Sequence, residues 1–104
     1  MRTWRVALAF QLIAGTAAAQ GDPAAGRRLA EAQCSSCHAI GPGRSGPALP
    51  GVTPFQAVAE RTATTSLSLQ AFLRTPHAHM PNIVLDGQQL DDVIAYILSL
   101  RAAR

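Results

Sequence analysis

The chain is predicted to fold as a small all-α domain, and three observations predict it. Leu90, Val93, Ile94, Ile97 and Leu98 follow the i, i+3, i+4, i+7, i+8 spacing that lines one face of a helix. Asp22-Pro23 reads as a helix start: an N-cap carboxylate, then a proline at the first position, where its missing N–H is not needed. No stretch alternates apolar and polar residues convincingly enough to make a strand, and there is no internal repeat.

The first segment is read as a targeting signal outside this domain. Residues 1–5 carry Arg2 and Arg5 and no acid. Residues 6–14 (VALAFQLIA) are apolar apart from Gln11, and residues 17–19 are three alanines. That is the order of a secretory signal peptide with an A-x-A cleavage site. The apolar run is far shorter than the ~20 residues of a spanning helix. A signal peptide over residues 1–19 and a domain over residues 20–104 are therefore expected, with export to the periplasm. The exported part keeps seven arginines against six acids, a formal charge near +1 rather than the +3 of the whole chain. It has no basic run, so nucleic acid is not an expected partner. No lysine occurs anywhere.

Within the domain, residues 24–33 continue the first helix with good helix formers. Residues 41–51 (GPGRSGPALPG) hold four glycines and three prolines, a constrained loop rather than a flexible linker. A short helix is expected within residues 54–61. A further helix, capped by Ser66 or Ser68, is expected to run through Arg74 and stop at Thr75-Pro76. Asp86 with Gln89 forms a capping-box start for the last helix. Asp91 and Asp92 in its early turns and Arg101 near its end suit the helix dipole.

Residues 34–38 read CSSCH and contain both cysteines. A disulfide between Cys34 and Cys37 would close a tiny loop and constrain little of the unfolded chain. A redox-active C-x-x-C needs a thioredoxin-like βαβ setting, which is missing here. A zinc site needs four ligands; His77 and His79 would supply the second pair but leave Met80 without a role. C-x-x-C-H is the attachment sequence for c-type haem. Thiols three apart share one helical face and reach two vinyl-derived carbons on one haem edge. His38, next to Cys37, then turns its imidazole over the iron. Apart from Met1, Met80 is the only methionine, lying four residues after Pro76 and just before Pro81. Thioether sulfur is a soft ligand, and the long chain between His38 and Met80 is ample to reach the opposite haem face.

CSSCH, SGPALPG at 45–51, HMPN at 79–82 and LDDVIAYILSL at 90–100 together resemble class I cytochrome c, over nearly all of the domain. The resemblance is to the short bacterial members, since Trp4 falls in the signal and residues 52–65 are short. It implies N- and C-terminal helices crossing beside one covalently bound haem c per chain. It also implies a close approach at Gly26 beside Tyr96, with Ala30 filling the crossing less than the usual aromatic. The cofactor-binding residues it implies are Cys34, Cys37, His38, Pro47 and Met80, with His38 and Met80 as iron ligands. The Pro47 carbonyl is expected to accept the Nδ1–H of His38, and Leu49 to line the pocket. Arg44, Arg61, Thr62 and Thr64 stand as unassigned candidates for the haem propionates.

The implied function is non-enzymatic one-electron transfer. Expected partners are redox proteins: a respiratory complex, an oxidase or a dehydrogenase. A monomer without stable membrane insertion is expected. Two alternatives stand beside the free carrier. One is a dedicated electron-accepting subunit of a periplasmic dehydrogenase. The other is a haem peroxidase or gas-binding protein from which Met80 dissociates.

Overall fold

The computed structural model describes residue 9, residues 21–75 and residues 80–102. The expected signal over residues 1–19, apart from Ala9, lies outside the described residues, as do His77 and His79. In chain order the described residues form α1 (Pro23–Gln33), α2 (Phe55–Glu60), α3 (Ser66–Arg74) and α4 (Gly87–Ala102), with no strand among them. The all-α expectation holds.

Three of the four starts are held by side-chain caps. The Asp22 carboxylate accepts from the Ala24 N–H at 3.0 Å, with Pro23 opening the first turn of α1. At α4, the Gln89 N–H donates to Asp86 Oδ1 at 2.8 Å, and the Asp86 N–H donates to Gln89 Oε1 at 3.1 Å. The start of α3 differs from expectation. Thr65, in extended backbone, is the N-cap, and Ser68 is its reciprocal partner three residues on. Three hydroxyl residues among four positions make the frame ambiguous by eye. Ser68 settles it by bonding back to the Thr65 N–H. Thr75 then adopts an extended conformation, as a residue before proline must, and α3 stops.

The core lies between α4 and the other three helices. Leu90, Val93, Ile94, Tyr96, Ile97 and Leu100 are buried on α4, packed with Ala30, Ile40, Phe55, Ala59 and Leu69. Leu98, expected in this stripe, only packs against its edge. Helices α1 and α4 touch through their backbones. A Cβ at Gly26 would overlap the Asp92 carbonyl and press on Tyr96 Cβ, and one at Gly21 would overlap the Asp91 carbonyl. Glycine is thus needed at Gly26 for the approach itself. Ala30 is completely enclosed in this contact.

Polar side chains fasten the connecting segments to this frame. The Tyr96 hydroxyl donates to the Ile40 carbonyl at 2.6 Å. Buried Gln56 donates to the Leu100 carbonyl at 3.1 Å and accepts from the Gly43 N–H at 3.0 Å. Arg101 reaches back from α4 to the carbonyls of Ala59, Arg61 and Thr64 at 2.8, 3.2 and 2.7 Å.

Candidate functional site

The end of α1 leads directly into the cysteine motif. Cys34 is the C-cap, its N–H donating to the Ala30 carbonyl at 2.8 Å. The N–H groups of Cys37 and His38 both donate to the Cys34 carbonyl, at 3.2 and 2.9 Å. Residues 34–38 therefore form one tight turn, which brings Cys34, Cys37 and His38 to the wall of a cavity of about 520 Å³. Both thiols are free, and burial pushes the Cys34 thiol up from its ordinary value.

The remaining walls come from five segments, among them the turn between α2 and α3 with Arg61, Ala63 and Thr64. Leu49, Val52 and Thr53 arrive from the loop before α2, Val58 from α2, and Leu69 and Phe72 from α3. Met80 and Ile83 arrive from the segment before α4. Met80 also lines a smaller pocket of about 70 Å³ that shares Cys34 and His38 and reaches the core residues Phe55, Val93 and Ile97. Cys34, Cys37, His38 and Met80, remote in sequence, thus share one cavity.

The imidazole of His38 is held from two sides. Its Nδ1 lies 2.7 Å from the Thr53 carbonyl oxygen, and Phe55 sits against it with ring centroids 5.4 Å apart. A carbonyl only accepts, so Nδ1 carries the proton and Nε2 keeps a free lone pair. This arrangement fixes tautomer and ring orientation. It corrects the expectation for Pro47, which is exposed here. The Leu49 N–H is tied to the Cys37 carbonyl at 2.9 Å. Two residues later the chain turns through Gly51 at φ +79, and Thr53 comes to face the imidazole. Leu49 does line the cavity, as expected, with half its surface still exposed.

These residues fit a covalently held haem: two free thiols on one turn, an imidazole with its far nitrogen available, a thioether, and walls built largely of aliphatic and aromatic side chains. A small helical domain with that donor set is a c-type haem protein in architecture. A family model described as cytochrome c oxidase, cbb3-type, subunit III matches residues 21–97. Cytochrome c-552 of Bradyrhizobium diazoefficiens is 37% identical over 86 residues, covering 83% of this chain and 82% of its own. Cytochrome c of Tetrahymena pyriformis is 33% identical over 99 residues, covering 78% of this chain and 91% of its own. No solved structure gives a significant match. The chain belongs to the class I cytochrome c family. Its cofactor is covalently bound haem c, and its role is haem-based electron transfer with redox partners. Among the described residues no helix is long and apolar enough to cross a membrane.

Sequence reasoning missed Thr53, Gln56 and the reach of Arg101. Thr53 acts through its backbone carbonyl, which no side-chain motif reveals. Gln56 offered a weak signal, as a polar residue in an otherwise apolar FQAVA stretch.

Proposed function

We propose that this cytochrome is a periplasmic one-electron carrier with one haem, held by Cys34 and Cys37 and ligated through its iron by His38 and Met80. The observation that carries this reading is the convergence of those four side chains on one cavity, with His38 Nδ1 already engaged by Thr53. When bound, the haem supplies a reversible Fe(III)/Fe(II) couple.

The chain's own residues do the rest. The two cysteines anchor one edge and Thr53 holds the imidazole. Met80 offers a neutral sulfur, which favours Fe(II) relative to a second imidazole. Val58, Leu69, Phe72 and Ile83 keep water from the wall, which acts in the same direction. With His38 and Met80 both to hold the iron, the chain would leave no coordination site open to a substrate. Export with removal of residues 1–19 completes the reading, supported by the three-part signal pattern.

The test is a set of visible and far-red spectra of both redox states, with and without carbon monoxide. Ferric protein should show a weak far-red sulfur–iron band that Met80→Ala abolishes, and native ferrous protein should resist carbon monoxide. Immediate carbon monoxide binding by the native protein would replace the carrier by a gas-binding reading. The likeness to a family described as an oxidase subunit favours one second reading, a subunit that serves a single enzyme. Stoichiometric co-purification with one large complex would select it over the free carrier.

A further inference from the structure

We propose that Tyr96 is a positioning residue for the iron ligand His38. Acting through Phe55, it carries the contact between α1 and α4 to the imidazole and sets the tilt of that ring. The proposal rests on the haem reading above, because the ring it places is the one that would bind iron.

Three aromatic rings form a chain of contacts. The Phe55 ring lies 5.4 Å from the His38 imidazole, centroid to centroid, at an interplanar angle of 54°. The Tyr96 ring lies 6.5 Å from that of Phe55 at 51°. Both pairs are tilted, at the separations of about 4.5–7 Å that aromatic pairs favour. Phe55 and Tyr96 are buried, and close packing leaves neither ring room to turn away from its neighbour.

The backbone beside the imidazole is tied by the same two residues. The Phe55 N–H donates to the Ala39 carbonyl at 2.9 Å, and the Tyr96 hydroxyl donates to the Ile40 carbonyl at 2.6 Å. Phe55 and Tyr96 thus also hold the two residues that follow His38. Tyr96 in turn is set by the helix contact. A Cβ on Gly26 would lie 2.9 Å from Tyr96 Cβ, so this side chain starts where α1 packs against α4.

The imidazole needs such a support. Its hydrogen bond to Thr53 fixes one point of the ring and leaves the plane free to rock. A ring packed beside it removes that freedom. The plane of an axial imidazole decides how a ferric iron shares its unpaired electron among the four pyrrole rings of a haem. A rocking imidazole would therefore even out the signals of the four haem methyls.

The experiment records proton NMR spectra of the holoprotein. In the ferrous wild type, nuclear Overhauser contacts should link the ring protons of His38 to those of Phe55, and those of Phe55 to those of Tyr96. Absence of either overturns the relay. In the ferric state, the spread of the four haem-methyl resonances should contract in Phe55→Leu and in Tyr96→Leu. The double variant should contract it little further, as coupled sites do. Tyr96→Phe keeps the ring and loses the bond to Ile40, so it should lose stability but keep most of the wild-type spread. Asp86→Ala removes the α4 cap and none of these ring contacts. It is the merely destabilised reference, and its spread should match the wild type. A wild-type spread in Phe55→Leu or in Tyr96→Leu overturns the proposal. So does equal contraction in Tyr96→Phe and Tyr96→Leu, or contraction in Asp86→Ala. A wild-type protein without covalent haem would instead bring down the underlying reading, a result visible before any ring is changed.

Discussion

The contact between α1 and α4 and the walls of the haem cavity are built by opposite means. At the helix contact, backbone meets backbone, and the absence of side chains at Gly21 and Gly26 makes the fit. Around the cavity, loops are suspended by side chains that hydrogen-bond to carbonyls: His38 to Thr53, Tyr96 to Ile40, Gln56 to Leu100, and Arg101 to its three. The first region gives a frame that tolerates almost no change. The second gives walls whose fastenings can be altered one at a time, so the site can be tuned without rebuilding the frame.

The largest expected effect tests the cavity side. Replacing Cys34 and Cys37 together by alanine should remove all covalent haem, read by haem staining after denaturing electrophoresis. Undiminished staining would place attachment elsewhere and dissolve the comparison. Next comes the frame. Gly26→Val must push α1 off the Asp92 carbonyl, so it should destabilise the holoprotein by ~3 kcal/mol or more, the upper end of overpacking effects. Denaturant titration measures it, and a wild-type midpoint would show that the helices can slide apart freely.

A smaller loss is expected at a single latch. Gln56→Leu removes the bond to the buried Leu100 carbonyl, while the Gly43 N–H it also releases sits on an exposed loop residue and can turn to water. About 1–2 kcal/mol should be lost, by the same titration, with the far-red band retained. Loss of the band would mean that this latch holds the ligand geometry too.

The smallest effect sharpens the frame side by pH. The Asp22 N–H and the Gln88 amide hold the exposed Asp92 carboxyl below its ordinary value. A lowered folded-state value means that this contribution is present above the ordinary carboxylate range and fades as pH falls through the folded-state value. Asp92→Asn should therefore flatten that acid limb slightly and leave stability at neutral pH nearly unchanged. An identical acid limb in the variant would show that the Asp22–Asp92 link carries no proton linkage.

What could be read from the sequence follows the same division. Asp22-Pro23, the Asp86–Gln89 box and the apolar stripe of α4 are local or periodic patterns, and all reappear in the structure; Gly26 beside Tyr96, which the family resemblance implied, does so too. The cysteine motif and Met80 were legible because their chemistry is rare in the chain. The fastenings were not legible. Every residue owns a carbonyl, and which one faces His38 or Arg101 depends on the path of a glycine- and proline-rich loop. That is why Pro47 was expected where Thr53 stands. The cap of α3 was missed by one residue, a choice among neighbouring hydroxyls that only the extended backbone at Thr65 decides.

The meeting of α1 with α4 also orders events in time. Asp22 finds its partner Asp92 70 residues later, and Gly26 rests on the same stretch. Closing so long a loop carries an entropy penalty that only the completed contact offsets. A growing chain that has made α1 but not yet α4 has nothing to dock α1 against. Until α4 is made, α1 and the Cys34–Cys37 turn that follows it lack the partner that fixes them in the folded chain.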